Sequence, residues 1–249
     1  MFGRSWLVGV LVLGGIAVEL WLVYVVFKLS PQAGFLLDAA TLIGLIELLG
    51  MAINGSPFGI LIDERNKVSL SRLQATVWTV IVVSGFAAIG LGRMAANVPD
   101  PLAVAIPEEL LWVLGISATA LVGTPLIHRV QADAPPARVR AAAAVAPAAG
   151  TAMLGRLLVN TNVSGAQWTD IFKGEDAPTA NLIDLGKVQM FYFTVVAALV
   201  YTLAVVQVLG GDPSALPNGL PAVSSGLAAV LGLSNGAYLV NKAVPRAGA

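Results

Sequence analysis

The hydrophobic residues of this chain fall into six long apolar stretches separated by more polar segments. Each stretch holds close to the roughly 20 residues that a helix needs to cross a hydrocarbon core of about 30 Å. The first stretch is longer than the apolar part of a cleaved signal peptide and contains Glu19, so we expect it to remain as a helix. The pattern predicts an all-α, polytopic membrane protein with six transmembrane helices at residues 6–27, 35–53, 73–95, 107–127, 188–209 and 222–240.

The composition excludes most other classes of protein. Hydrophobic residues make up 57% of the 249 residues and charged residues only 11%, whereas about a quarter of a soluble domain is charged. The chain has no Cys and one His, so it offers no disulfide framework or thiolate metal site and leaves little for a His-built metal centre or triad. Its 14 basic and 14 acidic residues give no net charge that would attract nucleic acid. We therefore expect no catalytic residue, metal, cofactor or nucleic-acid partner, and a lipid bilayer as surroundings.

The basic residues indicate which side of the membrane each loop occupies. Six spans would place 12 of the 14 Lys and Arg residues on one side, and cytoplasmic loops are enriched in these residues. Lys28 and Arg93 alone approach the other side, where the connections 97–106 and 210–221 are rich in Pro, Gly and Asp. Both termini are therefore predicted to be cytoplasmic.

Two parts of the chain resemble each other in sequence. SLSRLQATVWTVIVV, from Ser69, aligns with DLGKVQMFYFTVVAA, from Asp184, at an offset of 115 residues. VLGISATA aligns with VLGLSNGA at an offset of 117 residues. Each copy holds two spans, an even number, which predicts a parallel repeat about an axis along the membrane normal. The predicted order is an N-terminal transmembrane hairpin, a first repeat, a cytoplasmic loop and a second repeat, at residues 1–58, 59–128, 129–183 and 184–249.

The segment GILIDERNKVSLSRLQATVWT, residues 59–79, combines an Asp-x-Arg pair, a Ser-Leu-Ser-x-x-Gln helix start and a Trp-Thr pair. These elements consist of Asp63, Arg65, Ser69, Leu70, Ser71, Gln74, Trp78 and Thr79. With this segment the chain resembles a group of uncharacterised bacterial multi-pass inner-membrane proteins, and the resemblance covers most of the chain after residue 50. The resemblance implies a location in the bacterial inner (plasma) membrane, and it implies no particular activity.

Polar residues at the starts of spans three and five have two interpretations. Ser71 followed by Gln74 fits a capping box, in which the two side chains satisfy free backbone amides of the first turn. Ser69 and Asp184 are alternative caps at equivalent places. In the second interpretation, Gln74 and Gln189 belong to a polar pathway one turn inside the membrane. Capping is favoured because Ser, Asp and Gln are common at helix starts.

Three carboxylates, Glu19, Asp38 and Glu47, lie inside predicted spans. An uncompensated charge facing lipid costs at least about 2.5–3.5 kcal/mol at the membrane centre. All three fall within about 14 Å of depth, and Arg93 is the basic residue able to reach that layer. The structural hypothesis is an ion pair between Asp38 and Arg93, with Glu19 and Glu47 protonated or hydrogen-bonded between helices. The functional hypothesis is a cation or proton path.

The loop between spans four and five carries the other candidate site. Its apolar part, residues 141–159, contains Pro147, Gly150 and Arg156, which oppose a seventh span, so we expect a cytoplasmic helix or an interfacial segment. Further along, aromatic and apolar residues interrupt the polar run WTDIFKGED, which favours a docking element over a flexible linker. The candidate docking residues are Trp168, Asp170, Phe172 and Glu175.

Two functional hypotheses remain. The first is a non-enzymatic membrane anchor, or subunit of a larger assembly, that presents its loop to a cytoplasmic protein partner. The second is an oligomeric ion channel or small transporter that uses the intramembrane carboxylates. Both imply a homo-oligomer or membership of a membrane complex, and the anchor is the preferred hypothesis.

Overall fold

The computed structural model describes residues 2–133, 149–212 and 215–243 and consists mainly of helices. The α-helices are α1 Phe2–Leu29, α2 Pro31–Asn54, α3 Leu70–Ala95, α4 Glu108–Ala132, α5 Leu185–Leu209 and α6 Ser225–Ala243. A hairpin of strands β1 Thr151–Leu154 and β2 Leu157–Asn160 lies between α4 and α5. Short 3-10 turns occupy Gly59–Leu61, Val163–Gly165, Trp168–Phe172 and Ala177–Thr179.

Four of the described helices, α2 to α5, are long and apolar enough to cross a membrane. Their mean hydropathy over the most apolar window lies between 1.9 and 2.1. Two shorter apolar helical stretches cover Gly9–Val18 and Ser225–Val240. The expectation of a mostly helical chain with helices long and apolar enough to cross a membrane is thereby confirmed, whereas the number of six spans stays a prediction.

The chain divides into two compact units. The first unit comprises Met1–Gly59, Val77–Leu111 and Ala197–Ser224, and the second comprises Ile60–Thr76, Trp112–Val196 and Ser225–Ala249. Helices α3, α4 and α5 each contribute residues to both units.

The first unit contains the hairpin of α1 and α2. Ser30 separates the two helices, and its hydroxyl accepts a hydrogen bond from the amide of Ala33 at 3.3 Å. Pro31 follows at the first helical position, where its missing N–H leaves no helical hydrogen bond unmade. Elsewhere in this unit, Ala105 pairs with Gly219 in an isolated parallel bridge. That bridge joins the segment before α4 to the segment before α6.

The second unit has a small hydrophobic core beside the helix starts. Leu61, Val68 and Ile171 pack there with Leu70, Met190 and Tyr238. Residues 60–69 and 149–184, which we call the platform, supply the non-helical part of this core. Asn66 and Asn160 tie the two platform segments together, because each amide donates to the other residue's backbone carbonyl at 2.8 Å.

The β-hairpin corrects the expectation of a helix in the described part of residues 141–159, whereas the alternative of an interfacial segment stays a prediction. Strands β1 and β2 pair antiparallel, with Thr151 opposite Asn160, while residues 141–148 lie outside the described residues. Gly150 and Gly155 have φ angles of +82° and +59°, which a right-handed helix does not accommodate. The chain is therefore not wholly α-helical. The sequence did not predict the strands because an apolar composition alone does not distinguish a short strand from a helix.

Candidate functional site

A buried carboxylate, Glu175, lies at the centre of the second unit. It follows a tight turn at Gly174, where an added Cβ atom would lie only 2.3 Å from the Oγ1 atom of Thr179. The backbone carbonyl of Glu175 accepts a hydrogen bond from the amide of Leu158 on β2 at 3.3 Å. The turn and the hairpin together fix the position from which the side chain points inward.

Cations from three different segments surround the Glu175 carboxylate. Its Oε1 atom lies 3.0 Å from Nζ of Lys187, 3.0 Å from Nζ of Lys242 and 3.4 Å from Nη2 of Arg65. Its Oε2 atom lies 2.7 Å from Nζ of Lys242. The hydroxyl of Tyr238 also donates to Oε1, at 3.3 Å. We call Glu175, Arg65, His128, Lys187, Tyr238 and Lys242 the Glu175 centre.

Arg65 reaches this centre because a local turn holds its side chain. The guanidinium donates from Nε and Nη2 to Oδ2 of Asp63, at 2.9 and 2.6 Å. Oδ1 of Asp63 accepts the backbone amides of Arg65 and Lys67 at 2.9 and 3.4 Å. A bridge between Ile62 and Val68 closes the turn. The Asp-x-Arg element of the sequence is therefore a structural turn that orients a buried cation.

His128, on α4, links two carboxylates. Its Nε2 atom lies 2.8 Å from Oε2 of Glu175, and its Nδ1 atom forms a short contact with Oε1 of Glu64. An ionised carboxylate only accepts hydrogen bonds, so satisfying both contacts requires both ring nitrogens to donate. The geometry therefore suits the doubly protonated imidazolium, which joins α4 to both segments of the platform.

The surrounding cations and hydrogen bonds keep the carboxyl groups of Glu175 and Glu64 ionised. Burial alone would raise the pKa of Glu175, but Arg65, Lys187 and Lys242, with the hydrogen bond from His128, hold it well below its usual value. Burial would likewise raise the pKa of Glu64, and its hydrogen bond with His128 and its own backbone hydrogen bond lower it to about 2. Each carboxylate therefore remains charged at neutral pH.

A neighbouring trio has the composition of a metal site but is held by ion pairs. Ligand atoms of Asp63, Glu64 and His128 lie within 4.8 Å of one another. Both oxygens of Asp63 already accept hydrogen bonds from Arg65, and both nitrogens of His128 contact carboxylates. A cation would have to displace Arg65 from Asp63 and deprotonate His128. The arrangement therefore favours a structural ion-pair network over a metal centre.

The predicted docking residues differ in their exposure. Trp168 is 46% exposed, whereas Asp170 and Glu175 are each 8% exposed. The carboxylate of Asp170 accepts the backbone amide of Gln167 at 2.8 Å and so caps a 3-10 turn. The ring of Phe172 packs edge-on against that of Phe191, with centroids 5.1 Å apart. Of the four side chains, Trp168 is the one that the platform presents outward.

The predicted ion pair between Asp38 and Arg93 is not formed. In the first unit, the Arg93 guanidinium donates to the backbone carbonyls of Leu216 and Pro99, at 3.4 and 3.3 Å. Asp38 is 6% exposed, and its Oδ2 atom accepts no hydrogen bond within the described part of the chain. The prediction was wrong because it considered the side chains at that depth and not the carbonyl groups of the connecting loops.

The two other candidate intramembrane carboxylates are not brought together with Asp38 by any described contact. Glu47 is exposed on α2. The side chain of Glu19 lies outside the described residues. The structure therefore assembles no described carboxylate pair within the predicted spans.

The helix starts follow the predicted caps in part. Oδ1 of Asp184 accepts the amides of Gly186 and Lys187, at 3.0 and 3.3 Å, and so caps α5. Ser69 lies immediately before α3, and its hydroxyl contacts that of Ser71 at 3.0 Å.

The predicted capping box of Ser71 and Gln74 is not formed, because Ser71 lies inside α3 and donates to Thr124 on α4. The amide of Gln74 is buried without a described hydrogen-bond partner. Gln189 is exposed and borders a groove of about 590 Å³ between α5 and α6. Neither glutamine therefore takes part in capping.

The sequence singled out Glu175, but as a residue that docks a partner protein. It did not predict the buried residues that surround this carboxylate. The one available signal was that basic residues cluster at the predicted cytoplasmic ends of the spans. That clustering has a sufficient explanation in membrane orientation, so it did not indicate an internal ion-pair network.

No protein-family model, curated protein or solved structure matches this chain.

Proposed function

We propose that the chain is a non-enzymatic, multi-pass protein of the bacterial inner membrane that acts as a scaffold subunit. Its helices anchor the platform at the cytoplasmic face, and the platform docks a protein partner. The four long apolar helices support the membrane location. The twelve basic residues at one predicted side support six spans with both termini in the cytoplasm.

The spacing of the helices supports the parallel duplication. Helix α3 begins at Leu70 and α5 at Leu185, which are 115 residues apart, as in the first sequence alignment. Helix α4 begins at Glu108 and α6 at Ser225, which are 117 residues apart, as in the second. Two pairs of helices that begin at matching offsets fit two copies inserted in the same direction, with α1 and α2 added before them.

The Glu175 centre is the observation that carries the scaffold proposal. It fastens the platform to the ends of three helices, through His128 on α4, Lys187 on α5 and Lys242 on α6. Burying a carboxylate with several cations has a large desolvation cost and is weak as a source of stability alone. Such a network is useful where a fixed geometry is needed, as in a surface that must be presented rigidly to a partner.

Trp168 is the proposed contact on that surface. Tryptophan is enriched among the residues that dominate binding energy in protein interfaces. This side chain is 46% exposed, although the 3-10 turn that carries it is anchored by buried Ile171 and Asp170. A large apolar side chain on an anchored turn loses little conformational entropy on binding.

Site-specific photocrosslinking in native membranes tests the proposal. A photoreactive aromatic residue replaces Trp168, and the exposed Ser164 on the neighbouring turn is the matched control position. We expect a discrete protein adduct at 168 that is absent at 164 and that weakens when Glu175→Gln loosens the platform. Equal adducts at both positions, or none at 168, would contradict a docking role.

The second candidate function, a channel or small transporter, has one observation in its favour. Asp38 is a buried carboxylate within a candidate span, and its Oδ2 atom lacks a described hydrogen bond. Intramembrane ionisable residues commonly mark ion or proton paths. Purified protein in vesicles should then pass cations, and Asp38→Asn should reduce the flux. Flux equal to that of empty vesicles rejects this candidate and leaves the scaffold.

A further inference from the structure

One face of α2 has no packing partner among the described residues of the first unit. Exposed residues recur along it at alternating spacings of three and four, at Ala33, Leu36, Ala40, Ile43 and Glu47. Leu36 and Ile43 are 55% and 47% exposed. These spacings are those of the a and d positions of a heptad seam. We call these five residues the α2 seam.

The opposite face of α2 is covered by α1. An added Cβ at Gly34 would lie 2.7 Å from the ring of Phe27, and one at Gly15 would lie 3.0 Å from Leu45. These close approaches show that α1 packs against the side of α2 that bears Gly34 and Leu45. The α2 seam therefore faces away from α1, and a further helix has access to it.

Glu47 makes the α2 seam unsuited to contact with lipid alone. It lies seven residues before the end of a helix that is long and apolar enough to span a membrane. Glu47 has no hydrogen bond or ion pair with any described residue of the chain. A polar group that faces hydrocarbon without a partner is costly. A neighbouring helix that provides a hydrogen bond at that depth would remove this cost.

A second copy of the chain meets this requirement by symmetry. Copies inserted in the same orientation place each residue at the same depth, and a two-fold axis brings a residue on the seam opposite its own counterpart. Two carboxyl groups that share a proton can hydrogen-bond to each other. A single polar residue at an a position of a heptad seam also fixes the register of the pair. Ala33 and Ala40 are small and allow close approach of the two backbones.

We propose that the α2 seam is the interface of a parallel homodimer in which Glu47 hydrogen-bonds to its counterpart in the second copy. The interface lies in the first unit, so it does not depend on the platform or on a cytoplasmic partner. The scaffold would then present two platforms for each assembly.

Disulfide crosslinking tests this directly, because the natural chain contains no Cys. Ile43→Cys places a thiol on the α2 seam one turn from Glu47, and Leu48→Cys is the matched control. Leu48 is similarly exposed, at 57%, and adjacent to Glu47, but it lies off the seam. In native membranes under mild oxidation we expect a crosslinked dimer with Ile43→Cys and at least about threefold less with Leu48→Cys.

Changes at Glu47 in the Ile43→Cys background then test the hydrogen bond. Glu47→Gln keeps a donor and an acceptor and should retain the dimer. Glu47→Leu keeps the helix apolar and inserted but should lower the crosslinked fraction at least about threefold. Equal crosslinking at 43 and 48, no dimer at either position, or a Glu47-dependent adduct with a different protein would overturn the proposal. The Trp168 adduct is measured separately, so failure here is distinct from failure of the scaffold function.

Discussion

Replacing Glu175 with Gln removes the charge around which the platform is built while keeping the size of the side chain. Lys187 and Lys242 would each lose their carboxylate and retain only neutral described partners, the carbonyl of Lys173 and the hydroxyl of Tyr238. Removing one partner of a buried ion pair costs about 3–5 kcal/mol, because the remaining charge stays desolvated. Each 1.4 kcal/mol is a factor of ten, so the open population of the platform should rise about a hundred-fold or more.

Limited trypsin digestion of the protein in detergent measures this opening. The bond after Lys173 is the site to follow by mass spectrometry, because the Lys173 carbonyl accepts a hydrogen bond from Lys187. Cleavage tracks the open population when opening and closing are faster than proteolysis. Glu64→Gln is the matched control. Its carboxylate is 41% exposed and contacts His128 alone among the described cations, so the cleavage rate should rise at most about fivefold.

A second variant separates loss of folding from loss of charge compensation. If unpaired cations cause the instability, adding Lys242→Met to Glu175→Gln should restore part of the protection, because one uncompensated charge is removed. The two single changes would then be strongly non-additive. The reasoning is refuted if Glu175→Gln is cleaved no faster than Glu64→Gln, or if the effects of Glu175→Gln and Lys242→Met simply add.

Three further predictions follow from the same structure. Gly155→Ala should open the platform more than Gly150→Ala in the same digestion, because both glycines have positive φ but only at 155 would the Cβ clash, 2.3 Å from the carbonyl oxygen of Ala132. Acid should loosen the platform. Glu64 has a pKa of about 2 and Glu175 has a pKa well below its usual value, so both carboxylates stabilise the folded platform fully above about pH 4.5. That contribution is lost as the pH falls towards 2 and the carboxylates become protonated. Hydrogen exchange at pH 6, 4 and 2.5 should show this loss. A reporter active only outside the cytoplasm should be silent after residues 173 and 249 and active near residues 100 and 217. Activity at 173 would imply that residues 141–159 cross the membrane and that the repeat is inverted.

Local sequence signals predicted local structure well. The apolar stretches located the helices, and Asp184 caps α5 as expected, because a cap depends on residues two or three positions away. The hairpin at Thr151–Asn160 was missed. Its residues are mostly apolar, Gly150 was interpreted as a weak point of a helix, and the positive φ of Gly155 was not foreseen.

Contacts between distant residues could not be predicted from the same signals. Glu175 meets Arg65, His128 and Lys242, which are separated from it by 110, 47 and 67 residues of chain. The predicted depth in the membrane suggested a pair between Arg93 and Asp38, but depth does not fix which side chains meet laterally. Backbone carbonyls compete for the same guanidinium, and the sequence pattern does not show where those carbonyls point.

The Glu175 centre shows that basic residues at the predicted cytoplasmic side also have a role in the folded chain. Of the eight whose side chains the structure describes, five are buried, namely Arg65, Lys67, Arg156, Lys187 and Lys242. Orientation is decided while the helices insert, before the platform has folded, so these residues still count toward topology. Once folded, they hold the platform instead of facing lipid head groups. A substitution such as Lys187→Gln would therefore have two effects. It would weaken the charge bias during insertion, and it would remove one of the cations that contact Glu175 in the folded protein. A topology reporter measures the first effect, and digestion at Lys173 measures the second.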